Sequence, residues 1–327
     1  PKREHEFPML SLDKTKEVAD LIAWTKGQKS LLSWKMDGLT IVLTYREGML
    51  DQAVTRGNGY IGELVTNNVK NFVNVPVKIP YQEELVLRGE AVIRYSDFRK
   101  INETLKEGEA LYKNPRNLCS GSVRQLNPAI TKERQVYWYA FGLVSAPGVD
   151  FHNSRKAQFE WLQAQGFDTV EYVLTDENRL AADVADFEGR IASNDVPSDG
   201  LVLLMDDIAY GESLGQTAKF PRNAIAFKWR DETQTTVLTA IEWSPSRTGL
   251  INPVALFDPV ELEGTTVSRA SVHNVSIVKS LELGLGDKIV VYKANMIIPQ
   301  IAENLTKSGG LHPPKHCPSC QGETILK

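Results

Sequence analysis

Lys35-Met36-Asp37-Gly38 puts an amine, a carboxylate and a glycine at the seam of two apolar runs, residues 30–34 and 39–45. If the first run is a strand, Leu31, Ser33 and Lys35 share one face and Leu32, Trp34 and Met36 the other. A lysine amine, with a reference pKa of about 10.4, attacks an electrophile only where its surroundings favour the neutral form. With Asp37 and the permissive Gly38 setting the turn, Lys35 reads as a nucleophile. Alone, the four residues also fit a strand-end lysine whose stem packs while its amine reaches water. Three other runs bring charge to an apolar pattern in the same way. In "NAIAFKW", Ala224, Ala226 and Lys228 share a face backed by Ile225, Phe227 and Trp229. In "VLRGEAVI", Arg88 and Glu90 share a face, and in "PSDGLVLL", Asp199-Gly200 leads into a hydrophobic run. One such strand would be a solvated edge; four together point to a site.

"NPRNLCSGSVRQ" (114–125) offers an anion site. Arg116 follows a rigid proline, Ser120-Gly121-Ser122 lets the backbone come close, and Arg124 adds a second cation suited to phosphate. The same segment equally fits a surface loop with two solvated arginines. "TRGNGYIG" spells G-x-G-x-x-G with Gly57, Gly59 and Gly62. The strand before it belongs to a hairpin, however, so a dinucleotide fold, which needs a parallel crossover, is set aside. Cys317-Pro-Ser-Cys320 is a C-x-x-C beside His312 and His316, and reads as half of a four-ligand zinc site completed beyond residue 327. Cys119 reads as a small core residue.

These residues need strands to position them. Residues 13–26 have helical spacing behind Asp13 as N-cap. Strands are expected at 30–34, 39–45 and 49–55, the last two joined at Glu47-Gly48. A helix near 61–71, strands at 73–79 and 84–93, a helix at 96–107 and a strand at 136–144 follow. Asn153 opens a helix that Gly166 closes, and Leu180, Val184, Phe187 and Ile191 mark another. Strands at 199–205 and 223–229 complete this antiparallel-rich part. After about residue 232 the pattern is strands only, at 237–243, 253–257, 260–268, 287–293 and 297–303, which suggests a small barrel of the OB type.

The 327 residues allow two or three domains, and no apolar run is long enough to span a bilayer. Three cysteines fit no disulfide framework, so a soluble protein of a reducing, cytoplasmic compartment is expected. Net charge is −4, and residues 233–327 carry eight basic and eight acidic side chains, so any nucleic-acid partner would bind local patches. A first residue of Pro and the half-built metal motif suggest an excised fragment.

Taken together, these motifs resemble the NAD-dependent bacterial DNA ligases. "FPMLSLD", "KMDG", "TRGNG", "LRGEAV", "NPRN", "SVRQLNP", "SDGLV", "AIAFKW", "SRTGLINPVA", "VSRASVHN" and "IIPQI" occur in that family's order across nearly the whole chain. The resemblance implies an α+β chain. A nucleotidyltransferase domain (1–232) of ATP-grasp-like antiparallel sheets and helices precedes an OB-fold barrel (233–310) and the start of a truncated zinc finger (311–327). An N-terminal domain reading the nicotinamide mononucleotide half of NAD would precede Pro1, and helix-hairpin-helix and BRCT modules would follow the last residue.

By the same resemblance, Lys35 takes AMP from NAD as a lysyl phosphoramidate, with Asp37 and Lys228 in catalytic roles. Ser11, Leu12, Arg56, Glu63, Glu90, Phe141 and Asp199 line the nucleotide, Phe141 stacking on adenine. Arg116, Arg124 and Arg247 hold phosphate or DNA, and Cys317 and Cys320 take zinc in the full-length protein. Mg²⁺ assists the phosphoryl chemistry, and the partners are NAD and nicked duplex DNA, in replication and repair, for a monomer without a membrane. Three positions depart from the family's pattern: Ser33 stands where glutamate is usual, Asn58 where aspartate is, and Leu204 where lysine is. Two other functions remain open on the residues. An ATP-using ligase or capping enzyme shares K-x-D-G, and a nucleic-acid-binding OB protein could keep a dead pocket.

Overall fold

The computed structural model describes residues 1–294 and 298–326. The chain divides into two compact units, Pro1–Trp229 and Arg230–Lys327. In the first, the order is β1 (Lys2–Glu4), β2 (Asp13–Thr15), α1 (Val18–Thr25), β3 (Ser30–Met36), β4 (Leu39–Arg46), β5 (Met49–Thr55), β6 (Ile61–Glu63), α2 (Thr66–Val69), β7 (Leu85–Val92) and α3 (Tyr95–Glu103). Then come α4 (Pro115–Val123), α5 (Pro128–Glu133), β8 (Tyr137–Ser145), α6 (Arg155–Ala164), β9 (Tyr172–Thr175), α7 (Leu180–Gly189), β10 (Ser198–Met205), α8 (Ile208–Ser213) and β11 (Ala224–Phe227).

Two sheets carry this unit, in strand orders β2-β11-β10-β3-β9 and β5-β4-β7-β8, with β1 and β6 as a separate pair. All pairings are antiparallel except β2 with β11. Alternation along β3 does what the sequence implies: Trp34 and Met36 are buried in a core with Leu32, Phe187, Leu201 and Phe227, while Ser33 and Lys35 are half-buried on the other face. A second core around Ile41, Leu43, Tyr45, Leu87 and Trp138 packs the four-stranded sheet. The Glu47-Gly48 hairpin forms as read, with φ of 52° and 75° at the two residues, the pair of left-handed conformations a tight hairpin needs.

The second unit has β12 (Thr233–Pro245), β13 (Ile251–Leu262), β14 (Thr265–Ser271), α9 (Val275–Ser280), β15 (Lys288–Ala294) and β16 (Ile298–Asn304), in one sheet ordered β14-β13-β12-β15-β16. Leu238, Phe257, Leu262, Ile289 and Val291 fill its core. The expected strands at 253–257 and 260–268 form one long strand and its partner, because the chain turns only at Glu263-Gly264. The expectation over 297–303 starts on residue 297, outside the described residues.

Several local expectations fail for tertiary reasons. Asp13 is no helix cap: Asp13–Thr15 pairs with Ile225–Phe227, and the helix starts after Glu17, without a side-chain cap. The expected helix at 61–71 is a strand, Ile61–Glu63, held by Lys2–Glu4, followed by one helical turn. The expected strand at 73–79 is irregular, with a single bridge from Lys78 to Met49; Pro76 cannot donate to a ladder. Asn153 does not cap its helix; Ser154 does, its hydroxyl accepting from the Ala157 N–H. The "NPRN" segment, whose sequence fits an anion site and a surface loop equally, is helix α4, with the Asn114 side chain accepting from the amides of Arg116 and Asn117 and Pro115 in the first turn.

Candidate active site

The turn between β3 and β4 brings Lys35 and Asp37 against the opening of β10. The β3–β10 register slips between Ser198 and Leu201, and this irregularity sets Asp199 beside Lys35. Gly200, at φ 145°, allows it: a Cβ there would lie 2.2 Å from the Phe227 carbonyl oxygen. Gly38 permits an equally close approach, since a Cβ there would sit 1.9 Å from the Ala91 carbonyl oxygen of β7.

Asp199 is the hub. Lys35 Nζ donates to its Oδ1 at 3.0 Å and its Oδ2 at 3.3 Å, and Lys228 Nζ lies 3.6 Å from Oδ2. The Lys35 side chain is 31% exposed and that of Asp199 13%, so the pair is screened from water but reachable. Asp37 faces Arg116 Nε at 3.3 Å, which ties α4 to the turn that carries Lys35. Burial and the Asp199 charge push the Asp37 carboxyl up, against the pull of Arg116, Lys35 and Lys228.

Glu90, on β7 opposite Thr40 of β4, forms the far wall. Its Oε1 accepts from Thr40 Oγ1 at 2.7 Å, and burial pushes its pKa up to about 7, with the Thr40 and Gly38 hydrogen bonds and Lys35 opposing. Phe141 sits on β8 at a register shift: Arg88 pairs with Gly142 and Gly89 with Ala140, leaving Phe141 without an opposite residue. A bulge of this kind re-aims a side chain, here half-buried against the core behind Lys35.

Ser33, Val202 and Ala226 stand in register across β3, β10 and β11, on the strand face that carries Lys35. Leu31, Leu204 and Ala224 form the next row. Together they make a low-relief floor suited to a flat ring. Arg56 donates from Nη2 to Ser11 Oγ at 2.9 Å and from Nε to the Met9 carbonyl at 3.3 Å, fixing the segment that leads through half-buried Leu12 into β2. Glu63 pairs with Arg124 at 3.2 Å. Asn58, within the glycine loop, accepts at Oδ1 from the Tyr60 and Ile61 amides, a local turn role.

Thus Lys35, Asp37, Glu90, Asp199, Lys228 and Arg116 converge, while Ser11 with Arg56 and Glu63 with Arg124 form adjoining pairs. Arg247 lies in the exposed turn between β12 and β13 of the second unit. Cys317 and Cys320 form a tight knuckle there. Cys317 accepts at sulfur from the Cys320 and Ser319 amides, which holds its thiol below the usual range. No group of three His, Cys, Asp or Glu side chains that could hold a metal occurs among the described residues.

Sequence reasoning overlooked Thr40 and Tyr95. Thr40 was findable, lying directly across from Glu90 once β4 and β7 are paired. Tyr95, whose hydroxyl is pushed up by burial and by the Asp37 and Asp199 charges, left no signal in the local pattern.

A lysine-bearing turn set between two largely antiparallel sheets, followed by a five-stranded unit, defines a nucleotidyltransferase-like adenylation unit joined to an OB fold. The model of the NAD-dependent DNA ligase adenylation domain matches residues 1–232, and that of the NAD-dependent DNA ligase OB-fold domain matches 235–310. The DNA ligase of Lachnoclostridium phytofermentans is 64% identical over 327 residues, covering 100% of this chain and 50% of that protein. That of Ruminiclostridium cellulolyticum is 62% identical with the same coverage, and that of Lactobacillus delbrueckii subsp. bulgaricus 39% identical over 345 residues, again 50% of that protein. The solved structure named Pmar-Lig_Pre. shares the fold at TM-score 0.51 and 12% identity, over 91% of this chain and 68% of that one. The chain belongs to the NAD-dependent DNA ligase family. It spans about half the length of the curated relatives it matches. No helix among the described residues is long and apolar enough to cross a membrane.

Proposed function

We propose that this chain is the adenylating and OB-fold part of an enzyme that seals nicks in duplex DNA with NAD as its AMP donor. The observation that carries the reading is Asp199 shared between Lys35 at 3.0 Å and Lys228 at 3.6 Å, which aims an amine at one point and keeps a second cation beside it. In the first step Lys35 Nζ gives a proton to Asp199 Oδ1 and attacks the α-phosphorus of NAD. The P–N bond forms, the P–O bond to nicotinamide mononucleotide breaks, the departing phosphate of that mononucleotide takes the second amine proton, and Lys228 offsets the charge gathering on the phosphoryl oxygens. Adenine lies on the floor of Ser33, Val202 and Ala226 against Phe141, Glu90 takes the ribose, and Arg56 with Ser11 and Leu12 closes the near side.

In the later steps Arg116 and Arg124 leave Asp37 and Glu63 to hold the 5′-phosphate of DNA, and Arg247 contacts the duplex backbone. The adenylate passes from Lys35 to that phosphate, and the 3′-hydroxyl then displaces AMP. The described residues hold the adenosine half of NAD, so the chain alone charges itself more slowly than the full-length protein, which positions the leaving group as well. Ser33 and Leu204 remove two polar contacts from the base and phosphate, which weakens binding without touching the nucleophile.

Cys317 and Cys320 supply two of the four ligands of a zinc site, and the amides that lower the Cys317 thiol fit a metal-binding knuckle. Magnesium would bind chiefly through the phosphates, as it keeps few protein ligands, and no step is routed through it. The protein acts as a cytoplasmic monomer in replication and repair. Sealing of a nicked duplex by the full-length protein, tried with NAD and with ATP in parallel, tests the reading. Sealing with NAD alone is expected; sealing with ATP alone would replace this function with that of an ATP-using ligase.

A further inference from the structure

Helix α4 presents two faces to solvent. Arg116, Ser120 and Arg124 recur on one, and both arginines are already paired, with Asp37 and Glu63. The neighbouring face carries Asn117, Gly121 and Gln125 and borders a cavity of about 250 Å³. Its other wall holds two further cations, Lys113 and Arg134.

Arg134 is held in an unusual way. Its guanidinium lies over the Tyr112 ring, 5.0 Å from the centroid, and no carboxylate is within ion-pair distance of it or of Lys113 among the described residues. Its Nη1 is shut off from water and has no hydrogen-bond partner. A cation desolvated on one side, and fixed by an aromatic ring instead of an acid, keeps its charge uncompensated. Gly121 leaves open space facing outward from the helix, with nothing within 4 Å of where a Cβ would be. A doubly cationic, amide-lined hollow of this size fits a tetrahedral oxyanion.

We propose that this cavity binds a backbone phosphate of the DNA strand that runs along α4, one or more nucleotides from the phosphate held by Arg116 and Arg124. Arg134 and Lys113 supply the charge, and the Asn117 side chain can donate to a remaining oxygen, as can the second N–H of Gln125 Nε2, which already donates to the Gly121 carbonyl at 3.1 Å. The proposal rests on the DNA-sealing function above, and it deepens that function by adding a contact away from the reacting atoms. The chemistry read is that of phosphate, not of any base, so the contact is blind to sequence.

The test is the salt dependence of nicked-duplex binding by the full-length protein. Each phosphate neutralised contributes about −0.9 to the slope of log K against log[salt] for duplex DNA. Because both cations serve one phosphate, Arg134→Gln and, separately, Lys113→Gln are each expected to make the slope less negative by up to about 0.9, and the double variant by no more than that, while Arg134→Lys restores most of the loss. Lys113 is exposed, so its variant folds even if Arg134→Gln does not, and self-adenylation from NAD serves as the folding control. An unchanged slope in Lys113→Gln and in folded Arg134→Gln overturns the proposal and leaves the ligase reading standing. Failure of the unsubstituted protein to bind nicked duplex at all overturns both. Inorganic phosphate, titrated alone, is expected to compete only weakly; tight binding of it that Arg134→Gln abolishes, with an unchanged DNA slope, would mark a free-anion site and refute the DNA contact.

Discussion

Replacing Glu90 by glutamine removes one titrating group from the centre of the adenylation unit and nothing else of similar size. Glu90 is 9% exposed, and its carboxyl is pushed from 4.5 to about 7, chiefly by burial. An acid raised in this way binds more protons folded than unfolded between those two pH values. Its stabilising contribution is therefore complete below pH 4.5 and is lost as pH rises to 7. At about 1.36 kcal/mol per unit, the shift corresponds to a loss of about 3 kcal/mol across that window. The glutamine still accepts from Thr40 through its carbonyl oxygen but cannot titrate. Any penalty for its extra N–H donors near Gly38 is the same at every pH.

The assay is urea unfolding of both proteins at pH 4.5 and pH 8, followed by tryptophan fluorescence; five of the six tryptophans lie in the first unit. The unsubstituted protein is expected to lose about 3 kcal/mol more than Glu90→Gln between the two conditions. Parallel losses in the two proteins would refute the claim that burial raises this carboxyl to about 7.

Lys228→Ala is expected to slow adenylate transfer by about 100-fold or more, the scale for losing one charge-stabilising donor, while Lys219→Ala leaves single-turnover rates near those of the unsubstituted protein. Lys228 shares Asp199 with Lys35, whereas Lys219 is exposed in the connection before β11, its backbone N–H donating to Thr217 Oγ1. Gly200→Ala should cost about 2–4 kcal/mol in urea unfolding, because φ is 145° and the new Cβ would overlap the Phe227 carbonyl. An alanine variant as stable as its parent would mean that the Ser198–Leu201 irregularity is not held by this contact.

Much of the site was legible because period-2 alternation assigns faces without any knowledge of the fold. Lys35 and Glu90 each occupy the less apolar face of a strand, and their strands pair as the pattern requires; the strand expected at 223–229 ends at Phe227, so Lys228 follows β11 instead of lying within it. Asp199 was legible as a charge but not as the partner of two lysines, since that depends on a slipped register which only Gly200 hints at. The misreadings cluster where pairing partners are remote in sequence. Asp13–Thr15 becomes a strand because residues 225–227 offer it an edge, and Ile61–Glu63 because Lys2–Glu4 does. Helix α4 is the opposite case. Its Asn-Pro start is a local signal that the serine- and glycine-rich middle concealed.

The central claim is that Lys35 accepts the adenylate. Intact-mass analysis of the full-length protein after incubation with NAD, followed by peptide mapping, tests it most directly. One adenylate on the peptide carrying Lys35, absent from Lys35→Ala, is the expected result. A Lys35→Ala protein that still accumulates covalently bound AMP would contradict the account.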